Sequence, residues 1–203
     1  MHHFPSRFRK TATPPETQCC LHASVWGDQA ASQPGKGPSM SIWFFFLCQF
    51  SVVGYALLGG VFLAFSDFIM RSLAHTSGRG GIEAMQVINR EVFRYVFMAL
   101  FLGLVPVSLV LAGYATFVFS GAGATLVALS GMIYLVGVFG ITLVCNVPLN
   151  EALARMDLTT DDTQRFWTDT YLPRWTFWNS VRTTACTVAS ALLLLGLLRM
   201  AQA

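Results

Sequence analysis

Apolar residues in this chain come in long blocks, not in the one-sided periodicity of surface helices or strands. Four runs, Ile42 to Phe65, Val92 to Ala112, Ala122 to Val147 and Thr184 to Leu198, reach or approach the roughly 20 residues that cross a bilayer core. The last is extended backwards by the aromatic stretch WTFWNSV, which suits the interfacial region. The pattern predicts an all-α integral membrane protein: four antiparallel spans in one domain over residues 40–203. Residues 1–39 differ in kind. TATPPETQCC and AASQPGKGPS are rich in Pro, Ser, Thr and Gly without periodicity, which predicts a disordered N-terminal extension. Its basic start, SRFRK, runs into polar and proline-rich sequence, so it does not read as a signal peptide. Met40, directly before the first run, is the expected translation start.

The connections can be read the same way. On the first span, Gly54, Gly59 and Gly60 offer a surface that a neighbouring helix can approach closely. AHTSGRGG then breaks the chain, and IEAMQVINREVFRYVFMALFLG starts amphipathic before turning wholly apolar. Pro106 is expected to kink the second span. FVFSGAGAT, without charge, predicts a short turn to the third span, which ends in LVCNVPLNEALARMD. From Glu151 to Arg174 the chain is strongly charged, and TTDDTQRFW predicts a capped, short helix on the membrane surface between spans three and four.

Composition agrees with the blocks. The chain is 54% hydrophobic and 11% charged, against roughly 25% charged in soluble domains, so its main partner is the lipid bilayer. The net charge of +3 is dispersed, with no basic cluster interleaved with aromatics, which argues against nucleic acid. Cys19, Cys20, Cys48, Cys145 and Cys186 have neither metal-ligand spacing nor a disulfide framework. Of the histidines, His2, His3 and His22 lie in the extension and only His75 near a span, so no metal site is expected. No phosphate-cradling loop, nucleophile elbow or pair of intramembrane carboxylates is present, and no cofactor is implied. Arg71, Arg79, Arg90, Arg94, Arg155, Arg165, Arg174 and Arg182 all belong to the first-to-second and third-to-fourth connections. By the positive-inside rule, both long connections are expected in the cytoplasm and both termini outside, in the cell (inner) membrane.

Four antiparallel spans bring together the end of the first, the start of the second, the end of the third and the start of the fourth. The unusual polar residues fall at that one end: Asp67, Gln86, Asn89, Asn146, Asn150, Glu151, Asn179 and Arg182. Trp175, Trp178, Asn179 and Arg182 follow offsets of zero, three, four and seven, a single helical stripe that Tyr171 extends by a turn. Gln86 and Asn89 share a face with Phe93, and Asn146 and Asn150 are stacked around Pro148, whose missing N–H frees the Val144 carbonyl for an asparagine amide. Two readings stand side by side. One is a cap of helix cross-links, each worth about 0.6 kcal/mol in membranes; the other is a pocket, favoured by an arginine at this depth, with Asp67 or Glu151 as its expected partner.

The elements GVFLAFSDFIM, GIEAMQVINREVF, CNVPLNEAL, FWTDTYLPRW and WNSVRTTACTVASALLLL, in that order, resemble the anthrone-oxygenase-like family of small four-helix membrane proteins. The most specific parts are NVPLN (Asn146, Pro148, Asn150), the W..WN..R element (Trp175, Trp178, Asn179, Arg182) and MQ..N (Met85, Gln86, Asn89). The resemblance runs from about Gly54 to Leu198. It implies a monooxygenase that oxidises a hydroxylated polycyclic aromatic, anthrone to anthraquinone, with molecular oxygen and no conventional cofactor. On that reading Asn146, Asn150, Asn179 and Arg182 hold the enolate, and Gln86, Asn89, Tyr171, Trp175 and Trp178 bind the small aromatic substrate. Asp67 or His75 serves as base. The competing reading is a non-catalytic membrane protein, a binder of small amphipathic molecules or a structural partner subunit.

Overall fold

The structure, a computed structural model, describes residues 40–202 apart from Gly78 and Tyr95; the extension expected over residues 1–39 lies outside the described residues. Five helices carry the described chain, with no strand among them: α1 (Ile42–Ala74), α2 (Gly80–Glu91), α3 (Val96–Val118), α4 (Ala122–Ala154) and α5 (Asp161–Ala201). All but α2 are long and apolar enough to span a bilayer, and the chain is a multi-pass membrane protein. Large apolar side chains such as Phe117 and Val144, 88% and 75% exposed, face outwards, where lipid is the favourable solvent.

Spans one to four are α1, α3, α4 and α5. The short surface helix expected between the third and fourth spans is not a separate element: Asp161–Phe166 forms the first turns of α5, continuous with the span through a wide π turn at Trp167–Tyr171. Thr160 stands at its start, but the Thr160 hydroxyl bonds the Asp157 carbonyl and Thr163 Oγ1 and caps no backbone N–H. Upstream, Asp157 Oδ1 accepts from the Thr159 N–H (2.8 Å) and hydroxyl (2.9 Å), which holds its carboxyl below the ordinary carboxylate range. The amphipathic stretch before the second span is not continuous with it: a 3₁₀ turn at Val92–Arg94 separates α2 from α3. That turn lets Ile82 and Met85 of α2 bury in a cluster with Leu153 and Trp167, while α3 crosses the apolar layer.

Helix α5 packs along both α1 and α4, and α3 packs along α4; α1 and α3 meet over a much shorter seam. In the middle of the bundle the rings of Tyr55 and Tyr134 stack at 4.8 Å. Their hydroxyls reach Ser108 Oγ and the Phe101 carbonyl, each at 2.7 Å, which ties α1, α3 and α4 together in a layer with no water to compete. At the other end of the third and fourth spans the helices widen into π turns just before their prolines: Thr142–Asn146 precedes Pro148, and Trp167–Tyr171 precedes Pro173. A proline ring collides with the carbonyl four residues back and has no N–H to offer it, so a wider turn at that point relieves both problems.

Of the three glycines expected to admit a neighbour on α1, Gly54 and Gly59 do, against Leu104 and Cys186, while a side chain at Gly60 would meet nothing. The tighter contact lies elsewhere. A Cβ on Gly131 of α4 would sit 2.5 Å from the Ser108 carbonyl of α3, backbone that has nowhere to go. Gly131→Ala is therefore expected to cost about 1–3 kcal/mol, read as a lower melting midpoint in detergent, whereas Gly113→Ala, in open space on α3, leaves the midpoint unchanged or raises it.

Candidate functional site

Because α1 and α3 pack loosely against each other, the bundle is not filled at the end where the two long connections lie. A cavity of about 530 Å³ occupies that space, with walls contributed by all four spans; small-molecule sites fall at roughly 300–1,000 Å³. Its walls are aromatic, chiefly Phe62, Phe65, Phe97, Phe101, Phe139 and Trp175. Asn89, Thr142, Asn150 and Asn179 also line it, together with two ionisable residues, Arg182 and Glu91. The rim reaches the outer surface of the spans at Val61, Phe93, Leu102 and Leu143, all of them substantially exposed.

Arg182 is 6% exposed. Neither carboxylate expected beside it is there: Asp67 is exposed, and Glu151 pairs at 3.0 Å with Arg155 on the surface, one helical turn along its own helix. Instead Nη2 donates to Asn179 Oδ1 (2.7 Å) and Nη1 to Thr142 Oγ1 (3.2 Å), and Cζ lies 4.3 Å from the centre of the Phe62 ring and 5.5 Å from that of Trp175. Nε has no partner. Amide, hydroxyl and ring faces each return some of the lost hydration, but a buried charge without a counter-charge remains costly, and an anionic group on a guest would complete its surroundings.

Asn179 fixes that guanidinium. Its Nδ2 donates to the Phe62 carbonyl and to Ser66 Oγ, both at 2.6 Å, so Oδ1 is left facing Arg182. One turn outward, Asn150 Oδ1 accepts from Tyr171 Oη and Trp175 Nε1, both at 2.8 Å, and Asn89 Nδ2 donates to Tyr171 Oη (3.3 Å). The rings of Trp167, Tyr171 and Trp175 stack in a column, with centroids 5.3 and 6.3 Å apart. With its oxygen taken twice, Asn150 has only N–H groups to offer the cavity.

The remaining sequence candidates lie outside the cavity lining. Gln86 Nε2 reaches the carbonyls of Leu153 (2.8 Å) and Met156 (3.3 Å), pinning α2 to the end of α4. Asn146 donates to the Trp175 carbonyl (3.3 Å) and not to that of Val144, and its Oδ1 is unpartnered. Tyr171 is buried behind Asn150. Trp178 is half-buried, edge-on to Phe177 at 5.0 Å; at 3.6 residues per turn it points about 60° away from Trp175, on the side opposite Asn179. Asp67 and His75 are exposed, and His75 Nδ1 lies 2.7 Å from the Arg71 carbonyl.

Sequence reasoning missed Thr142, Ser66 and Glu91. Thr142 was within reach, since it continues the four-residue spacing of Asn146 and Asn150. Glu91 was hidden because, two residues on from Asn89, it lies about 200° round an ideal helix from it.

Asn150→Leu keeps the volume but leaves the Trp175 indole N–H and Tyr171 hydroxyl buried without an acceptor. A loss of about 1–3 kcal/mol is expected, seen as a lower melting midpoint in detergent. Asn146→Leu removes one long bond and an oxygen that is already orphaned, so its midpoint should move far less.

A family model described as anthrone oxygenase matches residues 90–192, the stretch of chain that holds Glu91, Thr142, Asn150, Trp175, Asn179 and Arg182. No curated protein and no solved structure matches the chain. The match covers more than half of the sequence and takes in the NVPLN and W..WN..R elements, and the chain belongs to the anthrone oxygenase family.

Proposed function

We propose that the protein oxidises a hydroxylated polycyclic aromatic ketone of the anthrone type to the quinone, using molecular oxygen and no conventional cofactor. The observation that carries this reading is the buried Arg182 guanidinium, without a carboxylate partner among the described residues, in a slot walled by aromatic rings. A flat, apolar substrate fits such walls. Its carbonyl oxygen, placed at Arg182 and the Asn150 amide, becomes an enolate once a proton leaves the methylene carbon. Donors already fixed in a low-dielectric site stabilise that charge without reorganisation.

The chemistry balances without a further reagent. The enolate gives one electron to O₂, the carbon radical and superoxide combine to a peroxide, and loss of the second methylene hydrogen with cleavage of the O–O bond leaves a new carbonyl and releases water. One oxygen atom ends in the quinone and the other in water. The site's part is to bind, to hold the enolate, and to keep bulk water from the radical pair.

Purified protein in detergent or nanodiscs is expected to consume one O₂ per anthrone and yield anthraquinone. Arg182→Gln should lower the rate by about 10²–10³-fold, the scale of losing a donor to a developing oxyanion. Lysine at this position should restore little, since it lacks the planar fork that Asn179 and Thr142 hold. Oxygen uptake that does not rise above the protein-free rate, with anthraquinone nonetheless bound, would make the protein a binder instead of an enzyme.

The arginine-bearing connections are proposed to face the cytoplasm. A reporter that works only in the cytoplasm, fused after Ala203, should then be silent; a signal from it reverses the orientation.

A further inference from the structure

The oxygenase reading needs a proton acceptor, and neither side chain that the sequence offered for the task lines the cavity: Asp67 and His75 are both exposed away from it. Glu91 does line it, the one carboxylate among the lining residues. It closes α2, two residues beyond Asn89, whose amide reaches Tyr171, the middle ring of the Trp167, Tyr171 and Trp175 column. Arg182 lies further in along α5, against Asn179 and Phe62. Both ionisable residues thus line one slot, the cation buried and the carboxylate open to solvent. Glu91 Oε1 is held by Arg94 Nη1 at 3.3 Å, and the side chain is 41% exposed, so Oε2 is available to a guest and water is at hand to carry a proton away.

We infer that Glu91 is the general base of the site. This rests on the oxygenase reading above. An anthrone, whose methylene lies across the ring from its carbonyl, can set its oxygen at Arg182 and its methylene at Glu91 together. In the step, the C–H bond breaks, the proton passes to Glu91 Oε2, and the electron pair is delocalised through the ring onto the oxygen at Arg182. Positioned carboxylates contribute about 10²–10⁴-fold in such transfers.

Proton removal can be read apart from oxidation. With anthrone in D₂O under anaerobic conditions, the wild-type protein is expected to speed deuterium entry at the methylene, and Glu91→Gln to lose that gain by about 100-fold or more. Glu91→Gln should also lose aerobic turnover, and Glu91→Asp should keep part of both. Glu83→Gln, an exposed position on α2, should keep both in full. Quenching of tryptophan fluorescence by anthraquinone, with Trp175 in the wall, shows whether Glu91→Gln still folds and binds. Exchange in Glu91→Gln within threefold of wild type overturns the assignment, as does loss of quinone binding along with exchange, which would make Glu91 a structural part of the rim. Absence of wild-type exchange overturns it as well. Exchange that depends on Glu91 without any oxygen uptake sinks the oxygenase reading and leaves the base standing.

Discussion

Asn179 holds the Arg182 guanidinium with a single charge-assisted bond of 2.7 Å, and its own amide is anchored on α1 at the Phe62 carbonyl and Ser66. Much of the polar end of the bundle depends on that chain of contacts. A guanidinium this deeply buried would ordinarily require a carboxylate, and here it receives an amide oxygen, a hydroxyl and two ring faces. Ring faces and neutral acceptors make the charge tolerable without neutralising it. The same atoms that fold the site therefore leave it positive, and in a low-dielectric layer that residual field acts on whatever enters.

Backbone geometry makes those contacts possible. A carbonyl in a regular α-helix already accepts from its own ladder and keeps only a second lone pair for a neighbour's side chain. In α1, α4 and α5 the ladder is offset by π turns at Phe65–Ile69, Thr142–Asn146 and Trp167–Tyr171, all at the end that holds the cavity. Phe62 lies just before the first of these and gives its carbonyl to Asn179; Trp175, shortly after Pro173, gives its carbonyl to Asn146. The asparagine amides thus join neighbouring helices through carbonyls beside the π turns. Their structural role and their place around the cavity are one arrangement, which is why the polar-cap and pocket readings of the sequence looked so alike.

How far the sequence could be read follows from what each feature depends on. The spans were legible because membrane burial is a property of local composition, and the gathering of polar residues at one end followed from the antiparallel count alone. Asn150, Asn179, Trp175 and Arg182 fell on helical spacings and do line the cavity. Partnership was a different matter. Nothing in the spacing showed that Arg182 would meet Asn179 and Thr142 in place of Asp67 or Glu151, because that depends on how far helices rotate about their axes. Trp178 shows the limit: it belongs to the stripe by offset, yet about 60° of rotation is enough to turn it out of the wall. Glu91 shows another: two residues on from Asn89 it lies about 200° round an ideal helix, so spacing did not group the two.

The division of the bundle into a filled half and an open half has the same origin. Helix α5 is the common neighbour of α1 and α4, and small residues allow it close approach: Gly59 of α1 against Cys186, and Gly196 against the backbone of Gly123 on α4. Helix α3 is tied mainly to α4, and Gly131 draws the two together next to Ser108. With α3 committed to α4 there, and with α2 and its 3₁₀ turn setting where the second span begins, α1 and α3 stand apart at the polar end, and phenylalanines line the gap without filling it. The rim of that gap is apolar at Val61, Leu102 and Leu143, on surfaces that lipid covers. A flat hydrophobic molecule can therefore pass from the bilayer into the slot by exchanging one apolar surrounding for another. The hydrophobic effect then contributes little to binding, so selectivity rests on the few polar groups inside, where an oxygen that can take up negative charge gains most from Arg182.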